Sequence, residues 1–147
     1  MTQTLIRGQG GTAVGTVLAH RRYVDFSRAH YAGNLVDGGY VLGLFGDIAT
    51  DLCLHLDGDE GLLASYSEVT FHAPVRAGDV LEVTATVTRV GNRSRTVSFK
   101  AHVLARSCPE NGPSAGRVLD DPLLVASAIG TLVVPGTTKD TEPTPGA

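Results

Sequence analysis

The chain has 147 residues, 42% of them hydrophobic and 18% charged, with a net charge of −3. That length suits one domain with one core, and the balance is that of a globular protein rather than a disordered one. The charge gives no basic patch or stripe of the kind that binds nucleic acid, and no apolar run approaches the ~20 residues of a membrane span. The opening MTQTLIRGQGGTAVG has no apolar stretch followed by a small-residue cleavage site, so secretion is not expected. Cys53 and Cys108 lack the spacing of a metal or redox motif. Two free thiols in a reducing cytoplasm are the expectation.

Residues 1–13 are polar and glycine-rich and are predicted to be a flexible N-terminus. A single domain follows over residues 14–135. Residues 16–24 (TVLAHRRYV) read as a strand from their β-branched content and loose alternation. Residues 25–36 are a polar, turn-forming loop leading into the one long helical pattern. There Val41, Leu44, Phe45, Ile48, Leu52 and Leu56 recur on one helix face. Asp37 precedes this pattern, where a carboxylate caps free N–H groups of the first turn. Gly39, Gly43 and Gly46 interrupt it, each costing up to ~1 kcal/mol of helix propensity relative to Ala. Such glycines serve close packing or the close approach of a ligand. At roughly 100° per residue, Tyr40, Asp47 and Asp51 form a polar stripe beside the apolar face. LDGDEG then ends the helix; its acidic residues lack the full spacing of a calcium loop and read as a turn.

The second half reads as strands. Residues 62–73 (LLASYSEVTFHA) alternate, with Val69 and Phe71 on one face and Glu68, Thr70 and His72 on the other. Residues 74–79 (PVRAGD) form a turn. Residues 80–90 alternate strictly, with Val83, Ala85 and Val87 opposed to Glu82, Thr84, Thr86 and Thr88. A tight connection at Gly91-Asn92 leads into a long strand over 94–105, making an antiparallel hairpin. Residues 107–121 hold prolines and glycines without periodicity and read as a surface loop. The nearly apolar 123–134 (LLVASAIGTLVV) reads as a strand buried in mid-sheet. Residues 136–147 have the composition of a disordered C-terminal tail.

The predicted class is therefore α+β: an antiparallel β-sheet wrapped around one long central helix. Open edge strands favour pairing with a second copy, so a homodimer or higher homo-oligomer is expected.

Three segments carry a resemblance: HYAGNLVDGGYVLGLFGDIATDL, DGDEGLLASYSEVTFHAPVRAGDVLEV and VGNRSRTVSF. Together they resemble the hotdog-fold 3-aminoacyl-CoA ammonia lyases, among them the 3-aminobutyryl-CoA and β-alanyl-CoA ammonia lyases, which are related to hotdog thioesterases. The likeness runs over residues 23–135. It implies a substrate thioester of coenzyme A or of a carrier protein's phosphopantetheine arm, with an amine leaving or joining the β-carbon. The thioester carbonyl would sit near the N-terminus of the central helix, at an interface between two subunits. No cofactor is implied beyond the coenzyme A or phosphopantetheine of the substrate, and no metal. Many hotdog thioesterases carry an acid on this helix where Gly46 stands here, counting from Gly38-Gly39. That departure favours amine chemistry over plain acyl-CoA hydrolysis. The alternative is a thioesterase that hydrolyses 3-aminoacyl thioesters, in a polyketide β-amino acid pathway for example. A third reading is a ligand-binding subunit that needs a partner chain.

Elimination or addition at a β-carbon passes through an enolate-like thioester. It needs a base for the α-proton and donors for the developing oxyanion. The helix N-terminus offers such donors at Gly38 and Gly39. Asp37 is either base or cap. Asp47, at the margin of the apolar face, is either solvated or held against a pocket where burial would raise its pKa. Tyr31 can donate to the thioester or the amine. His30 opens the signature, and Asn34 either braces the loop or contacts the thioester. Glu68 and Tyr66, two apart on a strand, share a face; if it meets the pocket, Glu68 would bind the ammonium. Arg93 and Arg95, around the hairpin turn, are candidates for the phosphates of the coenzyme or carrier arm, to which arginine's forked donors are matched. Asp51 reads as solvated surface.

Overall fold

The computed structural model describes residues 3–9 and 13–135, so the expectation for residues 136–147 lies outside the described residues. Among those described, the strands are β1 (Gln3–Ile6), β2 (Val17–Tyr23), β3 (Ala29–Tyr31), β4 (Leu35–Val36), β5 (Leu62–Phe71), β6 (Val80–Val90), β7 (Ser94–Ser107) and β8 (Gly116–Val133). The long helix α1 (Gly38–Asp57) lies between β4 and β5. Six strands form one antiparallel sheet in the order β1-β2-β6-β7-β8-β5, and β3 with β4 makes a small separate ladder. This is the expected α+β arrangement of one helix against an antiparallel sheet.

Helix α1 begins where the capping residue predicts. Asp37 has extended backbone and its Oδ2 accepts from the Tyr40 N–H at 3.2 Å. Gly58 ends the helix in the left-handed conformation, φ +65°, with its N–H on the Leu54 carbonyl. The apolar stripe Val41, Leu44, Phe45, Ile48, Ala49, Leu52 and Cys53 is buried against the sheet. The sheet answers with alternation: Leu81, Val83, Ala85 and Val87 point inward from β6, while the residues between them are only partly covered. Phe45 stacks on Phe99 of β7 at 5.1 Å between centroids. Both rings are fully buried, each contributing on the order of 1.5–3 kcal/mol of apolar transfer. Phe99 also leans over Gly130 of β8, where a Cβ would come within 2.5 Å of its ring. A glycine inside this strand thus makes room for a neighbouring aromatic ring.

Three expectations are corrected. Residues 3–6 form an edge strand paired with β2 rather than part of a flexible terminus. Residues 116–121 are the start of β8, not loop: Val118 pairs with Ala105 and Arg117 with Arg106. The register then shifts before Leu123 pairs with Val103, and the irregularity accommodates Pro122, which has no N–H to give to a ladder. The third correction concerns β5. Its register against β8 shifts twice, between Leu63 and Ser65 and between Ser67 and Thr70, with Glu68 at φ +51°. Each extra residue resets which face the following side chains occupy. Tyr66 therefore turns toward the core while Glu68 is exposed, and the two do not share a pocket-facing surface.

Candidate active site

A cleft of ≈ 450 Å³ opens at the N-terminus of α1. It is lined by Tyr31 and the β4 residues, by the cap Asp37 and the first helical residue Gly38, and by Phe71 at the end of β5 with His72 and Val75 beyond it. The local sequence accounts for this meeting. Gly38 has no side chain because the Phe71 ring occupies its place: a Cβ there would lie 2.6 Å from the ring. The chain on either side is tied by backbone bonds from Val36 to Val75 and from Ala77 to Asn34. The first-turn N–H groups of Gly38 and Gly39 have no acceptor within the helix, and they carry its partial positive charge. Asp37, which caps Tyr40, lies beside them.

Tyr31, Asp37 and Gly38 are brought together as cleft residues. Gly39 is exposed in the same helical turn. His30 is exposed, its ring edge-on to Tyr31 at 4.6 Å. Asn34, at φ +61°, faces a neighbouring cavity, and its carbonyl braces Ala77. Tyr66 lies outside the cleft lining; its hydroxyl donates to the Leu42 carbonyl of α1 at 2.7 Å. Burial, helped by the charge of Asp47, raises the Tyr66 pKa, so the phenol stays protonated. Asp47 itself is exposed on the open side of α1 rather than held in a pocket, and Glu68 is exposed at the β5 bulge.

Arg95 is committed elsewhere. It forms a forked pair with Asp57, Nη2 to Oδ1 at 2.7 Å and Nε to Oδ2 at 3.2 Å, and its Nη1 donates to the Gly91 and Ser94 carbonyls. With only 11% of its side chain exposed, it staples the hairpin to the end of the helix and has no donor fork left for a phosphate. Arg93 remains exposed. Asp51 is not simply solvated: it sits between His20 at 2.6 Å and His55 at 3.3 Å. Among the described residues, no group of three or more His, Cys, Asp or Glu is placed to hold a metal ion.

Two features, one in the cleft and one beside it, were not singled out from sequence. His72 lines the cleft with a ring nitrogen 2.8 Å from the Ser127 hydroxyl of β8. The PVRAGD turn is locked by Asp79, which is fully buried and bonded to the Arg76 N–H and to both Nε and Nη2 of Arg106. A turn written with both Arg and Asp was the available signal, but Arg106 lies far along the chain.

Residues 33–106 match the thioesterase superfamily. The chain is 49% identical over 107 residues to a 3-aminobutyryl-CoA ammonia lyase of Acetoanaerobium sticklandii, spanning 73% of this chain and 85% of that protein. The solved structure of β-alanyl-CoA:ammonia lyase from Clostridium propionicum superposes with a TM-score of 0.77 at 33% identity, covering 82% of this chain and 86% of that one. A hexameric hotdog fold thioesterase of Campylobacter jejuni shares the fold, with a TM-score of 0.65 at 24% identity over 78% of this chain and 79% of that one. The central helix, the cleft at its capped end and these likenesses agree: the chain belongs to the hotdog-fold thioesterase superfamily and, within it, to the family of the 3-aminoacyl-CoA ammonia lyases.

Proposed function

We propose that this enzyme eliminates an amine from, or adds one to, the β-carbon of a 3-aminoacyl or 2-enoyl thioester. The observation that carries this reading is the cleft itself, which joins the helix N-terminus at Gly38 to the Asp37 carboxylate and the His72 imidazole. With the thioester carbonyl over Gly38 and Gly39, their N–H groups and the helix dipole stabilise the oxyanion that forms as the α-proton leaves. Asp37 takes that proton; the electron pair forms the Cα–Cβ double bond, and the C–N bond breaks as the ammonium departs as free amine. His72, steadied through Ser127, holds the amine with its other ring nitrogen. Tyr31 covers the entrance, with His30 and Asn34 shaping the loop beneath it. The chemistry is proton transfer and carbonyl polarisation, which these groups supply with no cofactor beyond the substrate's own coenzyme A or phosphopantetheine. Hydrolysis is the second reading, favoured by the superfamily match, but Gly46 leaves a water-activating acid unprovided at the position the resemblance marks.

The same reading places the enzyme in the cytoplasm as a homo-oligomer. Edge strand β5 exposes Leu62, Val69 and Phe71, an apolar border suited to pairing with a second copy. Asp47 and Glu68 stand on the open side of each chain and would serve only where a second chain completes the site.

Incubating the protein with crotonyl-CoA and ammonium or glycine, followed by mass spectrometry, should show a 3-aminoacyl-CoA adduct. No adduct with any amine, together with rapid release of free coenzyme A, would replace the lyase reading by the hydrolytic one.

A further inference from the structure

With Arg95 engaged by Asp57 and Arg93 lining a cavity with Asp59, Glu60 and Gly61 past the C-terminal end of α1, the phosphates of a thioester bound at the helix N-terminus need another cation. The structure offers one beside the cleft. A second cavity of ≈ 480 Å³ abuts the first, and Leu35 lines both. Its walls include Arg76, Arg106, Asp79, Asn34 and Phe26.

The charges in this cavity are unequal in availability. Arg106 and buried Asp79 form a forked pair with both contacts at 2.9 Å, and Arg106 also donates to the Pro74 carbonyl. That pair is internally neutral. Arg76 is different: its backbone is held by Asp79 at 2.8 Å and by the bridge to Leu35, while its exposed guanidinium has no hydrogen-bond or ion-pair partner among the described residues. A rigid backbone thus presents an uncommitted fork of donors at the cavity wall. Glu110, at the same end of the molecule, feels Arg76 as well as Arg117 and is the anion a ligand must outcompete. Phe26 adds an aromatic surface. It is 52% exposed, yet its ring rests on Gly78, where a Cβ would come within 3.0 Å of it. A ring so fixed is a ready stacking platform.

We propose that this second cavity binds the phosphate-bearing end of the thioester's pantetheine arm, with Arg76 as the phosphate ligand and Phe26 as the platform for the adenine when the carrier is coenzyme A. The proposal rests on the thioester reading above. A guanidinium fork on an anionic oxygen is among the stronger single polar contacts a protein makes, and Leu35 separates it from the reacting carbonyl's cleft.

The test is equilibrium binding to the full chain by calorimetry, with coenzyme A, 4′-phosphopantetheine and phosphate-free pantetheine as probes. The Arg76 side chain makes no hydrogen bond or ion pair among the described residues, so Arg76→Ala should unfold close to the wild-type temperature. It is expected to weaken coenzyme A binding about ten-fold, to leave pantetheine unchanged, and to be partly rescued by Arg76→Lys; Arg89→Ala, at an exposed position of β6 outside both cavities, serves as the charge control and should bind as wild type. Loss for both phosphorylated probes assigns Arg76 to the 4′-phosphate, common to coenzyme A and a carrier arm. Loss for coenzyme A alone, matched by Phe26→Ala, assigns it to the nucleotide. Wild-type-like coenzyme A binding by Arg76→Ala overturns the proposal while leaving the thioester reading intact. Failure of wild type to bind any of the three probes overturns both.

Discussion

Asp37 carries two roles that substitution can separate. Its Oδ2 caps α1 through the Tyr40 N–H at 3.2 Å, and its charge lies at the positive end of the helix dipole, inside the cleft. Asparagine keeps a carbonyl oxygen in place and caps about as well as aspartate; only the charge–dipole contribution, ~0.3–1 kcal/mol, is lost. Alanine loses that and the cap, a further ~0.5–2 kcal/mol. At roughly 2–4 °C per kcal/mol for a domain near this size, Asp37→Asn should melt about 1–4 °C below wild type and Asp37→Ala lower still. Activity should order differently. Both variants lack the base, so kcat for elimination from a 3-aminoacyl-CoA should fall on the order of 10²–10⁴-fold in each. Melting by differential scanning calorimetry and turnover by enoyl thioester absorbance measure the two effects separately. If Asp37→Asn retains kcat within a few-fold, Asp37 is a cap alone and the proton acceptor must be sought elsewhere in the cleft. If activity instead tracks melting temperature across both variants, its contribution is only to hold the helix end.

Three further outcomes follow from the same geometry. Arg95→Ala removes two bonds to Asp57 and two to backbone carbonyls. It should lower the melting temperature by the loss of about 1.5–3 kcal/mol of charged hydrogen bonding while leaving KM for acyl-CoA at its wild-type value; a raised KM without destabilisation would return Arg95 to the substrate. Burial pushes the Cys53 thiol up to about 11, so below that pH the reactive thiolate is scarce, and iodoacetamide at pH 8 should label Cys53 only after denaturant is added. Labelling of the folded protein, read by peptide mass spectrometry, would contradict its burial. At Gly46 a Cβ would meet nothing within 4 Å, so Gly46→Asp fits without displacing neighbours. It should add thiol release from acyl-CoA, measured with a thiol reagent, and an unchanged rate would mean that hydrolysis needs more than an acid at that position.

Much of this architecture was legible because it is written in short-range patterns. The apolar spacing from Val41 to Leu52 and the capping Asp37 define α1, and the strict alternation over 80–90 defines β6; both are fixed by neighbours one to four residues away. What escaped depends on partners far along the chain. The prolines and glycines over 107–121, with no periodicity among them, made the start of β8 look like loop, yet β7 holds both sides of the irregularity in register. The bulge at Glu68 has no glycine to announce it, and a single extra residue there separates Glu68 from the face of Tyr66. Arg95 looked free beside a turn because Asp57 lies 38 residues earlier. His72 fell in the same way: its place in the cleft depends on a bulged strand and on Ser127, 55 residues on.

The helix glycines show the boundary between what one chain explains and what the site requires. Gly38 is explained within the chain, since the Phe71 ring fills the space its side chain would take. Gly43 and Gly46 are not, because a Cβ at either would meet nothing within 4 Å. Each costs up to ~1 kcal/mol of helix stability relative to alanine, with no contact inside the chain to offset it. Gly39 and Gly43 lie exposed on one side of α1 with Asp47, Thr50 and Leu54, on the face away from the buried stripe. A helix that gives up propensity along its open face is shaped for what approaches that face. Under the proposed function this is a second copy of the chain, which is why Asp47, exposed in one chain, belongs with that face rather than with the cleft at Asp37.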